Sequence, residues 1–159
     1  MRQQKLIYIA YGSNLNKHQM ARRCPNAKPL GGFLLPDHKM IFRGVADIIP
    51  LKGHVCPVGF WEITDKCEYS LDVYEGFPTL YRKEFITIKF NETDEVHDCL
   101  VYKMNRGSFG MPSEVYARSI MRGYRDFNLS LDQFHQSVQY TSEQVELQVV
   151  PNKSYQLWQ

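Results

Sequence analysis

Leu6-Ile-Tyr-Ile-Ala-Tyr-Gly-Ser-Asn-Leu15 is the stretch on which the reading of the chain turns. Leu6 to Tyr11 is a run of apolar, β-branched and aromatic residues, the pattern of a buried strand. Gly12-Ser13-Asn14 breaks the run, because glycine adopts backbone angles that other residues avoid and Ser and Asn cap helices well. Leu15 to Arg23 (LNKHQMARR) has helix-forming composition and closes on two arginines, which suit the negative end of a helix. A strand, a tight turn and a helix can leave several backbone N–H groups unpaired at one spot. Such a spot suits a carboxylate or a developing oxyanion. The plainer reading is an ordinary β–α connection, since glycine-containing turns of this kind are common.

Working outward, 159 residues suffice for one domain with a real core and are too few for two. The expectation is a single domain over 1–159, with 151–159 as a C-terminal tail in which Trp158 could act as a surface anchor. A formal net charge of +2 gives no bulk attraction to nucleic acid or to an anionic membrane. No stretch approaches the roughly 20 apolar residues of a transmembrane helix. Met-Arg-Gln-Gln-Lys leads straight into the first strand and does not read as a signal peptide, so the expected location is cytoplasmic. Cys24, Cys56, Cys67 and Cys99 are scattered with no C-x-x-C pair, and His18, His38, His54, His97 and His135 are equally dispersed. That spacing offers no metal site, and all nine read as core or surface residues.

Several short, glycine-punctuated strands follow the first helix. Cys24 to Gly32 reads as a loop, Phe33 to Arg43 as an extended segment broken at Pro36-Asp37, and Gly44 to Pro50 as a short strand. Leu51 to His54 carries a turn signal, and Val55 to Ile63 is strand-like, with Pro57 and Gly59 marking an edge or a bulge. Thr64-Asp65 can cap a helix through Tyr74 with Cys67, Leu71 and Tyr74 along one stripe, stopping at Gly76 before Phe77-Pro78. Arg82 to Phe90 and Cys99 to Met104 read as a hairpin. Ser113 caps a helix to about Phe127 with Val115, Ile120, Tyr124 and Phe127 inward. Ser130 and Gln133 open another towards Tyr140, and Val145 to Val150 reads as a last strand. The expected fold is α+β: a small mixed β-barrel or strongly curled sheet with flanking helices.

Glu75 is the carboxylate of interest. At the last turn of a helix it faces the negative end of the dipole, and its apolar neighbours would raise its pKa. The plain alternative is an exposed glutamate at a helix end. Arg118, Arg122 and Arg125 recur at i, i+4 and i+7; they read as a solvated helix face rather than an anion-binding stripe.

Three ordered motifs carry a resemblance. Tyr11-Gly12-Ser13-Asn14-Leu15 resembles the signature loop of the gamma-glutamylcyclotransferase family. Glu75-Gly-Phe-Pro-Thr-Leu-Tyr81-Arg82 is similar to that family's catalytic segment, and Pro112-Ser113-Glu-Val-Tyr116 with Ile120 and Gly123 to its tyrosine-bearing helix. The resemblance spans about Ile7 to the helix after Ser130. It implies an enzyme, free of metal and cofactor, that cyclises a small γ-glutamyl substrate to 5-oxoproline and releases an amine or amino acid. It also implies Glu75 as general acid/base, with Tyr11, Gly12, Ser13, Asn14, Leu15, Tyr81 and Tyr116 binding the substrate. The substrate's own amine is the nucleophile, so Ser13 would bind rather than attack. A non-catalytic module that holds a carboxylate ligand on the same scaffold is the alternative. Neither the leaving group nor the oligomeric state is legible.

Overall fold

The structure, a computed structural model, describes residues 5–90 and 94–156, with side chains placed up to residue 148. Trp158 lies outside the described residues. β1 (Leu6–Ala10) leads through a 3₁₀ turn at Ser13–Leu15 into α1 (Lys17–Arg23). β2 (Lys28–Arg43) and β3 (Val45–Ile63) form a long hairpin, and α2 (Asp65–Glu75) leads to the hairpin β4 (Tyr81–Lys89) and β5 (Val96–Met104). α3 (Glu114–Asp126) and α4 (Asp132–Gln156) complete the chain.

The five strands make one mixed sheet, ordered β2-β3-β1-β5-β4. β1 is central, antiparallel to β3 (Leu6 opposite Ile63) and parallel to β5 (Tyr8 opposite Leu100). The fold is α+β, as expected, with an open sheet flanked by four helices rather than a closed barrel. The core is aromatic: Phe60 packs between Phe33 and Phe90, and Trp61 meets Phe127 edge-on.

Local signals hold where nearest-neighbour chemistry decides them. Thr64 caps α2 by accepting from the Cys67 amide, and Ser113 caps α3 by accepting from the Tyr116 amide. Gly76 ends α2 at φ 64°, a left-handed angle that suits glycine, and the Phe77 amide donates back to the Asp72 carbonyl.

Other expectations need correction. Asn16, not Ser13 or Asn14, caps α1, accepting from the Gln19 amide at 3.1 Å. The supposed loop Cys24 to Gly32 is strand from Lys28 onward. β2 lies at the sheet edge, where Pro29 leaves no inner ladder bond unmade, and a register shift at Pro29/Gly31 takes up the irregularity. β3 runs unbroken through Leu51–His54; its pairing jumps from Pro50 to Val55, and the Gly53 amide closes on Asp37 Oδ1 at 3.0 Å. Val145 belongs to α4, not to a strand, because the pattern Val-Glu-Leu-Gln fits both periods and the helix is already running. Val115 and Tyr74 are both exposed rather than inward-facing.

Cys24 and Cys67 are not independent residues. They form a disulfide between the end of α1 and the first turn of α2, with their Cα atoms 5.0 Å apart. Cys56 and Cys99 are free and buried. No helix among the described residues is long and apolar enough to cross a membrane.

Candidate functional site

β1 ends where the sheet meets α3, and the turn that follows is held from several sides. The Leu15 amide donates to the Gly12 carbonyl at 3.0 Å and the Asn16 amide to the Ser13 carbonyl at 3.0 Å, closing the 3₁₀ turn. The first N–H groups of such a turn have no partner within it. Gly12 has φ −120°, so left-handed freedom is not why glycine stands there. Space is the reason: a Cβ on Gly12 would lie 3.0 Å from that of Ala46. Gly123 lets α3 press against the turn, since a Cβ on it would come within 2.5 Å of Leu15 Cβ.

Beside the turn lies a cavity of about 170 Å³. Tyr11, Gly12, Ser13 and Asn14 line it from the turn, Glu75 from the end of α2, Tyr81 from the start of β4 and Tyr116 from α3. Seven of the eight residues singled out from the sequence thus converge on one hollow, from segments more than a hundred positions apart. Leu15 does not line it. Its side chain is fully buried beneath the turn, and its amide is spent on Gly12.

Glu75 is partly buried, and its carboxyl has no hydrogen bond or ion pair with any described residue. Burial pushes its pKa up to about 7, while the nearby Arg23 guanidinium pulls the other way. Arg23 is itself fixed. Nη1 donates to Asn14 Oδ1 at 2.6 Å, Nη2 donates to Gln19 Oε1 at 3.1 Å, and the guanidinium lies 3.6 Å from the Tyr74 ring centre. Asn14 in turn donates to the Tyr8 hydroxyl at 2.9 Å and accepts at its carbonyl from Trp61 Nε1 at 3.0 Å.

The tyrosine hydroxyls differ in what they have left to offer. Tyr11 donates to the Tyr102 carbonyl at 2.6 Å and Tyr81 to the Ala46 carbonyl at 2.6 Å, so both oxygens remain acceptors. Tyr116 accepts from the Ala46 amide at 3.0 Å, and Ser13 is a second hydrogen-bonding neighbour of its hydroxyl. Burial raises the pKa of all three well above the ordinary phenol value, so they act as neutral hydroxyls. Ser13 Oγ is bonded to the Tyr74 hydroxyl at 2.9 Å. No histidine or cysteine is among the described residues lining the cavity.

Tyr8, Tyr74 and Tyr102 also line the cavity, and sequence reasoning passed over them. The one available signal was the tyrosine count, ten in the chain, six of which meet here. Arg23 was read only as a helix end. The arginines of α3 are exposed, and Arg118 pairs with Glu114 on its own helix, in keeping with a solvated face. Among the described residues, no group of three His, Cys, Asp or Glu side chains is placed to hold a metal ion.

The fold superposes on that of a solved gamma-glutamyl cyclotransferase over 88% of this chain and 86% of that one, with 24% identity and a TM-score of 0.72. An uncharacterized protein from Homo sapiens is similar over 87% of this chain and 85% of its own, at 23% identity and a TM-score of 0.70. YkqA from Bacillus subtilis is similar over 87% of this chain and 54% of its own, at 20% identity and a TM-score of 0.69. No curated protein sequence matches the chain. Residues 8–126, which carry the turn, Glu75 and Tyr116 alike, match the family model described as gamma-glutamyl cyclotransferase, AIG2-like, and the chain belongs to that family.

Proposed function

We propose that this protein cyclises a γ-glutamyl compound to 5-oxoproline and releases an amine or amino acid, with Glu75 shuttling the protons. One observation carries the reading: a carboxyl with no hydrogen-bond or ion-pair partner among the described residues, its pKa pushed up to about 7, shares a small cavity with the Gly12–Asn14 turn. An α-ammonium cannot attack a carbonyl. The free oxygens of Tyr11 and Tyr81 accept from it, and Glu75, basic enough near neutral pH, removes a proton. The freed nitrogen attacks the γ-carbonyl carbon of the same molecule, which the cavity holds folded; proximity replaces a protein nucleophile. As the C–N bond forms, charge moves to the carbonyl oxygen, where main-chain N–H groups of the turn and the Tyr116 hydroxyl donate to it. Glu75 then protonates the departing nitrogen as the old C–N bond breaks. The protons shed by the attacking nitrogen leave with the amine, no water is consumed, and Glu75 ends as it began.

Incubation with a panel of γ-glutamyl amino acids, γ-glutamylamines and glutathione, followed by assay of 5-oxoproline, identifies the substrate. Glu75→Gln should lower turnover on it by about a hundredfold to ten-thousandfold, the usual weight of general acid–base catalysis, with an unchanged circular dichroism spectrum. Near wild-type turnover in that variant would remove Glu75 from the mechanism. Tight binding of γ-glutamyl compounds without product from any of them would point to the carboxylate-holding module.

A further inference from the structure

Asp47 follows Ala46 on β3 and is only 3% exposed, yet it lines no part of the Glu75 cavity. Its Oδ1 accepts from the Ile48 amide and from the Met104 amide, each at 2.9 Å, and its Oδ2 accepts from Arg43 Nε at 2.9 Å. Arg43 is anchored in turn. Its Nη1 donates to the Gly107 carbonyl at 2.7 Å, and its guanidinium lies 5.2 Å from the Phe109 ring centre. These bonds stabilise a buried carboxylate but do not explain why one is there. Apolar residues of similar volume often fill such a place without loss of stability.

What the carboxylate braces supplies a reason. The Ala46 peptide holds two of the cavity's tyrosines: its amide donates to the Tyr116 hydroxyl at 3.0 Å, and its carbonyl accepts from the Tyr81 hydroxyl at 2.6 Å. The Ala46 side chain also abuts the turn at Gly12. Met104, whose amide Asp47 holds, is the residue paired with Tyr81 across the β4–β5 hairpin. One carboxylate therefore grips the chain on both sides of the Tyr81 side chain, beside the partner of its hydroxyl and opposite its backbone. No ladder bond does this, because β1 lies between β3 and β5 in the sheet. Burial chiefly, and the Asp47 charge among lesser causes, raise the pKa of Tyr11 and Tyr81, which keeps both hydroxyls protonated.

We propose that Asp47 is a positioning residue of the cavity: by bracing Ala46 against Met104, it sets where the Tyr81 and Tyr116 hydroxyls stand. Its effect on rate rests on the cyclisation reading, in which Tyr81 accepts from the substrate ammonium and Tyr116 donates to the carbonyl oxygen. Reacting groups held about 1 Å out of place cost on the order of a hundredfold in rate.

The test compares the whole wild-type protein with Asp47→Asn, each carrying isotope-labelled tyrosine rings, on γ-glutamylalanine, γ-glutamylbutylamine and glutathione. Asparagine keeps the shape and an oxygen for the Met104 amide but turns a donor towards Arg43. The NMR ring signals of Tyr81 and Tyr116 should move, and that of Tyr69, exposed on α2, should not. On whichever compound yields 5-oxoproline, kcat should fall by about tenfold to a hundredfold with KM changed less, because Tyr116 meets a charge that develops only in the transition state. Should Asp47→Asn fail to fold, Arg43→Met withdraws the same support and should move the same signals, and Arg43→Lys should return them part of the way. Unmoved Tyr81 and Tyr116 signals, or a lowered Tm with unchanged kcat, overturn the assignment and leave Asp47 a staple between strands. Wild-type protein that yields no 5-oxoproline from any of the compounds counts against the cyclisation reading instead, and the ring signals still decide whether Asp47 sets the two hydroxyls.

Discussion

Glu75 sits where two effects oppose each other. Desolvation at the end of α2 raises its pKa, and the Arg23 guanidinium lowers it. A base works in its deprotonated form, so turnover should fall as pH drops through about 7. Arg23→Met removes the opposing charge and should move that limb of the kcat–pH profile to higher pH. Arg23→Lys, which keeps the charge but not the fork on Asn14 and Gln19, should restore part of the shift. A limb that stays in place in both variants would show that Arg23 acts on the turn through Asn14 alone.

At the scale of elements, the site depends on helices pressed against a loop. α3 approaches the turn closely enough that Gly123→Ala must displace Leu15 or its backbone. Overpacking of this kind costs about 1–3 kcal/mol, which for a chain of this size lowers Tm by several degrees. Because Tyr116 rides on α3, kcat/KM should fall in the same variant; an alanine that left both Tm and kcat/KM intact would mean the contact is slack. The Cys24–Cys67 bridge acts on the other side, tying α1, which carries Arg23, to α2, which carries Glu75. It closes 43 residues of chain, for which loop entropy gives about 4 kcal/mol. Reduction, or Cys24→Ser with Cys67→Ser, should lower Tm by on the order of ten degrees at neutral pH. An unchanged Tm would mean that packing of the two helices does the work without the bridge.

For the whole molecule, a buried carboxyl of raised pKa is a stability statement. Burial favours the protonated form of Glu75, so the folded pKa of about 7 stands above the ordinary 4.5. The contribution is then fully present below pH 4.5 and is lost as pH rises through 7, with ~3 kcal/mol as its upper bound. Glu75→Gln is neutral at every pH. It should therefore melt higher than wild type at pH 8 and nearly together with it at pH 4. Identical melting at both pH values would show that the carboxyl is hydrated in the folded protein.

Where neighbours along the chain decide the outcome the sequence served well, the cap of α1, which fell to Asn16 rather than Ser13 or Asn14, being an exception. Thr64 and Ser113 cap, Gly76 stops α2 and so places Glu75 at its end, and the alternation of Arg82 to Phe90 makes a half-buried strand; each rests on contacts spanning a few residues. The Gly12–Asn14 turn, Glu75, Tyr81 and Tyr116 were singled out by the resemblance of their ordered motifs to the gamma-glutamylcyclotransferase family, not by local pattern alone. Tertiary structure alone decided the rest. It made Pro29 tolerable on a sheet edge, kept Val145 in a helix, sank Leu15 under the turn, joined Cys24 to Cys67 and brought Tyr8, Tyr74, Tyr102 and Arg23 around the carboxyl. Which of two permitted states a residue takes in these cases is set by groups tens of positions away, and their burial and spacing exist only once the sheet and helices have packed.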